Sequence, residues 1–147
     1  FRNHLVVYER EGGLEHIRIR HLATGAQHRI AFPEAVYTVA EGANPEFDTN
    51  TLRFTYSSLV TPASVFAYDM DDRAQKLLKR TPVLGGYRPA RYATERLFAT
   101  APDGTRVPIS LVYRRGIRRD GSNPTFLTGY GAYGMSRDPA FSSLRLS

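Results

Sequence analysis

Between residues 4 and 80 the apolar side chains recur at every second position in short runs, and that period constrains the fold more than any other feature. Ile17 and Ile19 alternate with Arg18 and Arg20, and Leu52, Phe54 and Tyr56 alternate with Arg53, Thr55 and Ser57. A period of two sends successive side chains to opposite faces of a strand and leaves one face to be buried. The runs His4–Tyr8, 16–22, 27–32, 36–39, 51–58, 65–68 and 76–78 are separated by turn-forming stretches. These are Glu9-Arg-Glu-Gly-Gly13, Ala23-Thr-Gly25, Pro33, a loop over Asn44–Asp48, and Pro62. Short strands spaced by roughly ten residues predict a sandwich, a barrel or a propeller. The alternating strands at 14–22 and 51–58 lie close to one blade length apart, about 40–45 residues, which favours a propeller.

Composition narrows this further. The 147 residues are 41% hydrophobic and 23% charged, an ordinary globular balance that excludes a coiled coil or a collagen-like repeat. Nine Tyr and eight Phe beside twelve Gly and nine Pro fit a β-rich chain with many turns. No run of eighteen apolar residues predicts a membrane-spanning helix. With no cysteine, there is neither a disulfide framework nor thiolate chemistry. Charge divides the chain. Residues 1–72 carry six Arg against ten acids, net −4, and residues 73–147 carry fourteen Arg and Lys against four acids, net +10. Two units therefore meet near residue 80, where Thr81-Pro-Val-Leu-Gly-Gly-Tyr-Arg-Pro89 reads as a linker. Beyond it, a strand over 94–101 turns at Ala101-Pro-Asp-Gly-Thr105 into a strand over 106–113. A basic loop over 114–122 and a short strand over 124–128 lead into Gly129-Tyr-Gly-Ala-Tyr-Gly134. The chain begins at Phe1 and stops in mid-pattern at Ser147 without a secretory leader, so a fragment is expected, with a cytoplasmic compartment.

Several stretches invite a chemical reading. Gly129, Gly131 and Gly134 match the spacing of a dinucleotide loop, but Pro139 stops a helix from opening there, and Tyr130 and Tyr133 crowd a pyrophosphate. Ser136 in Gly134-Met-Ser-Arg-Asp138 lacks the final glycine of a nucleophile elbow. His4, His16, His21 and His28 lack the spacing of metal ligands, and His16 and His21 face opposite sides of one strand. No metal site is expected. The arginines of 114–119 carry no interleaved aromatics and read as a solvated loop rather than a nucleic-acid surface.

Motifs in the second half go further. Val83-Leu-Gly-Gly-Tyr87, Tyr92-Ala-Thr-Glu-Arg-Leu97, Ala99-Thr-Ala-Pro-Asp-Gly104, Val107-Pro-Ile-Ser-Leu-Val-Tyr113, Gly129-Tyr-Gly-Ala-Tyr-Gly134 and Asp138-Pro-Ala-Phe-Ser142 occur in order, after Arg53-Phe-Thr-Tyr-Ser-Ser-Leu-Val-Thr-Pro62. Together they resemble the oligopeptidase B branch of the prolyl oligopeptidase family of serine peptidases, over essentially the whole chain. The resemblance implies a mostly β fragment. Residues 1–82 would be the C-terminal blades of a seven-bladed β-propeller, 83–89 a linker, and 90–147 the N-terminal part of an α/β-hydrolase peptidase domain. The two units would be hinged near 81–90 with few contacts between them. It also implies that the catalytic Ser, Asp and His lie beyond Ser147, and that Tyr130 is the oxyanion-hole donor, with Tyr133 as a packing residue. Asp138 corresponds to the first of two acids that hold a basic residue of the substrate. The second position is Ala140, which departs from the pattern, and Asp138 before Pro139 also suits a turn. The parent would cleave short basic peptides after Arg or Lys, without metal or organic cofactor. Its partners would be those peptides and the remainder of its own chain, with no nucleic acid and no membrane. A prolyl oligopeptidase or acylaminoacyl peptidase relative is the nearest alternative. A non-catalytic β-propeller interaction module is the alternative from another class.

Overall fold

Two glycines set the first hairpin. Strand β1 (His4–Glu11) passes to β2 (Leu14–His21) through Gly12-Gly13 alone, with Glu11 opposite Leu14. Both glycines have positive φ, 56° and 86°, as required where a two-residue turn must match the twist of its strands. The computed structural model describes residues 1–146. In it, β3 (Gln27–Arg29) completes a three-stranded antiparallel sheet in the order β1-β2-β3. A second antiparallel sheet follows in sequence order: β4 (Tyr37–Glu41), β5 (Thr51–Ser58), β6 (Ser64–Asp69) and β7 (Gln75–Arg80). Here a glycine is needed for space. The Gly42 N–H bonds to the Arg53 carbonyl, and a Cβ at that position would lie 2.7 Å from the same oxygen.

The alternation decides what is buried. Ile17 and Ile19 of β2 meet Leu52, Phe54 and Tyr56 of β5, and all are buried, while Arg18, Arg20 and Arg53 point away. Phe32 extends this core, with ring centroids 5.2 Å from Tyr56 and 4.6 Å from Tyr37. Each such side chain contributes roughly 1.5–3 kcal/mol on burial. At the far edge, β7 is exposed throughout and carries Lys76, Lys79 and Arg80, charges that discourage pairing with another chain.

The third sheet is a hairpin, β8 (Tyr92–Thr100) with β9 (Arg106–Arg114). Its turn is built as the sequence predicts: Gly104 has φ 85°, and Asp103 accepts the Thr105 N–H at 2.9 Å. The expected strand over 124–128 does not form. A strand is stabilised by a hydrogen-bonded neighbour, and among the described residues none pairs with this segment; Phe126 and Leu127 are 80% and 83% exposed.

Few contacts cross 81–90, as expected, and those beside the connection centre on Tyr87. Tyr87 lies against Tyr92 and edge-on to Phe141, with centroids 5.8 and 5.2 Å away. Its hydroxyl donates to the Val60 carbonyl, and the Phe141 N–H donates to Ser57 Oγ at 3.1 Å. Burial, then Tyr92 and Glu34, push the Tyr87 hydroxyl up to about 12. An aromatic residue inside a Pro/Gly stretch thus pins the connection to the end of β5.

Candidate functional site

The glycine–tyrosine segment is irregular backbone on the surface. Tyr130 is 45% exposed, and Arg137 is its ring partner, with the guanidinium 5.9 Å from the centroid. No hydrogen bond engages the Tyr130 hydroxyl among the described residues. It is an available donor, which an oxyanion site requires. Tyr133 differs from its expected packing role. It is 91% exposed, with φ 55°, and Gly134 follows at 63°. Two successive left-handed residues reverse the chain and carry the Tyr133 ring outward, where no described residue covers it. No α-helix follows Gly134 among the described residues, so neither a dinucleotide loop nor an elbow at Ser136 is formed.

Asp138 is held from two directions. Its carbonyl accepts the Ala140 N–H at 2.8 Å across Pro139, forming the turn, while its carboxylate accepts Arg10 Nη1 at 2.7 Å. Arg10 lies on β1 just before the glycine turn, and its Nη2 donates to Glu15 Oε1 at 2.9 Å. Glu15 is fixed in turn by Thr38 Oγ1 at 2.7 Å and the Val39 N–H at 3.0 Å. These partners, Asp138 first, hold the Arg10 guanidinium above its ordinary pKa. The hairpin tip is fastened again where Arg96 donates to the Gly12 carbonyl. No sequence pattern flags Arg10, because its partner is 128 residues away.

The histidines bond within and between the sheets. His16 Nδ1 meets the Tyr37 hydroxyl at 3.2 Å and His28 Nε2 the Tyr68 hydroxyl at 3.0 Å. Pairing of β1 with β2 sets His4 opposite His21, and Asp71 joins them from the turn after β6, their candidate ligand atoms lying within 4.8 Å of one another. Spacing along the chain hides this grouping, since it arises from strand register. One nitrogen of each ring is engaged, while His4 Nδ1 is buried without a hydrogen-bond partner among the described residues. His4 Nε2 lies 3.1 Å from Asp71 Oδ1, Asn50 donates to the other Asp71 oxygen at 2.5 Å, and His21 Nδ1 accepts the Thr24 N–H at 3.3 Å. The group therefore acts as a clamp between the sheets. Among the arginines of 114–119, Arg119 is engaged. Its Nη1 reaches both Glu95 oxygens, at 2.8 and 3.0 Å, and its guanidinium lies 5.2 Å from the Tyr113 centroid.

Two antiparallel meanders joined through their alternating apolar faces suit a sandwich or a β-propeller, and the family match decides for the propeller. A family model described as the prolyl oligopeptidase N-terminal β-propeller domain matches residues 1–81. The chain belongs to the prolyl oligopeptidase family. It is 40% identical over 143 residues to dipeptidyl aminopeptidase BI of Pseudoxanthomonas mexicana, covering 97% of this chain and 20% of that protein. It is 36% identical over 146 residues to protease 2 of Moraxella lacunata, covering 99% and 21%. Oligopeptidase B from Leishmania major superposes with a TM-score of 0.85 at 35% identity, over 99% of this chain and 22% of that one. The chain spans about a fifth of the length of these relatives.

Proposed function

We propose that this chain is a piece of a serine peptidase of the oligopeptidase B type, one that hydrolyses short peptides after Arg or Lys. Residues 1–82 supply propeller blades, 83–89 the connection, and 90–147 the beginning of the peptidase domain. The observation that carries this reading is the reach of the similarity. It continues past residue 81, where the propeller model stops, through Tyr130 and Asp138 and over 97% of the chain. An available tyrosine hydroxyl between two glycines supports the same reading. Acyl transfer builds negative charge on the carbonyl oxygen, and a preplaced donor lowers that barrier by roughly 3 kcal/mol. The nucleophile, its base and the orienting acid are then supplied by another part of the parent, and the isolated chain is inactive.

The test is to assay the full-length protein on anilides ending in Arg, Lys or Pro, in parallel with a serine-directed phosphonate. Cleavage after Arg and Lys, with one labelled serine outside residues 1–147, is the expected result. Cleavage only after Pro would move the protein to the prolyl branch. Absence of both turnover and labelling would leave a non-catalytic propeller module.

A further inference from the structure

Arg10 holds Asp138 by one end-on contact, Nη1 to Oδ1 at 2.7 Å, between side chains that are each about one-third exposed. Arg10 does not depend on that contact for its position, since its other terminal nitrogen is bound to Glu15. Glu15 is likewise anchored without Arg10, by Thr38 and the Val39 amide. The Arg10–Asp138 contact is therefore the exchangeable member of the chain of bonds. A second guanidinium approaching Asp138 could take both carboxylate oxygens, a stronger geometry than the single contact it displaces. The charge on Asp138 would stay neutralised throughout.

We infer that Arg10 is a specificity-setting residue: it occupies Asp138 in the free protein as a stand-in for the basic residue of a peptide substrate, and such a residue must displace it. This rests on the reading of Asp138 as a substrate-binding acid that the family resemblance implies. The consequence is that binding of a basic side chain detaches the 129–141 segment from the β1–β2 hairpin tip at this point, while a substrate with a neutral residue there leaves the contact closed. Arg10 thus taxes the substrates that Asp138 favours. It narrows the gap between basic and neutral peptides by about the worth of one exposed ion pair, about two- to fivefold in binding.

The experiment uses the full-length protein and two anilide peptides, both ending in Arg and differing only in Arg or Gln at the preceding position. R10Q is expected to lower KM for the Arg-Arg peptide by about two- to fivefold, with kcat little changed and KM for the Gln-Arg peptide unmoved. D138N is expected to abolish the difference between the peptides, and R10Q added to D138N to do nothing further. If D138N leaves the preference intact, the reading of Asp138 fails and this inference with it. If D138N removes the preference but R10Q shifts both peptides equally, or only lowers the melting temperature, Arg10 is a structural strut. The reading of Asp138 then survives and the inference alone is overturned.

Discussion

Replacing Tyr130 by Phe in the full-length protein removes one hydroxyl and little else. The hydroxyl has no hydrogen-bond partner among the described residues, and the ring, 45% exposed, keeps its place beside Arg137. The structural cost should therefore fall within about 0.5 kcal/mol, the range of surface substitutions. The kinetic cost should be much larger if the hydroxyl meets the oxyanion. Loss of one such donor lowers kcat by about tenfold to a thousandfold, about 1.4–4 kcal/mol of transition-state stabilisation. KM should change far less, because the ground-state carbonyl carries little charge. Tyr133→Phe is the internal control, since that ring is 91% exposed on the same segment. Steady-state kinetics on an Arg-anilide, with a melting curve for each variant, separates the effects. Equal losses in both variants, or a Tyr130→Phe loss that tracks melting temperature, would refute the assignment.

Phe54→Ala should destabilise the propeller by about 3–5 kcal/mol, the usual cost of emptying a fully buried phenylalanine site, and calorimetry of the full-length protein should register a lower transition. Glu95 is held below its ordinary value of 4.5 by the Tyr113 hydroxyl first and then by Arg119. Its contribution is therefore complete above about 4.5 and is lost as pH falls through the lowered folded value. Glu95→Gln should flatten the acid side of the stability–pH curve, and an unchanged curve would show that the contact contributes nothing. The isolated 147-residue chain should neither cleave an Arg-anilide nor bind a serine-directed phosphonate covalently. It should also self-associate on size-exclusion chromatography, because Leu84, Phe126, Leu127 and Leu144 are each at least 80% exposed. A monomer with one cooperative unfolding transition would contradict the last point.

What the sequence discloses is governed by how local the cause is. The buried faces of β2 and β5 follow from alternation alone, as do the turns at Gly12-Gly13 and Ala101–Thr105, because strand period and φ preference act within a few residues. The segment 124–128 carries the composition of a strand but lacks a paired neighbour, and composition cannot supply one. Tyr133 points outward because of its backbone angle, which an adjacent pair of tyrosine-glycine steps does not reveal. The Arg10–Asp138 bond and the His4–His21–Asp71 clamp join residues that only tertiary pairing brings together. Of the candidate site, then, sequence motifs mark Tyr130 and Asp138 but not the side chain that already occupies one of them.

The aromatic attachment of the connection has a kinetic consequence. Within each sheet every strand pairs with its neighbour in sequence, so the meanders can form as local hairpins, on the order of microseconds each. The Phe141–Ser57 bond closes 84 residues and can form only after much larger loops have lost their freedom. Attachment of the C-terminal segment then follows the transition state for folding of the blades. Phe141→Ala, which keeps the main-chain donor but removes the ring contact with Tyr87, should accelerate detachment while leaving the blade folding rate nearly unchanged, with a φ-value near zero. Stopped-flow unfolding of the full-length protein would reveal the opposite, a slowed folding limb, if the junction instead belonged to the nucleus. With a φ-value near zero, the protein holds its two β regions together through a contact that governs how long the assembled state lasts, and not how quickly it is reached.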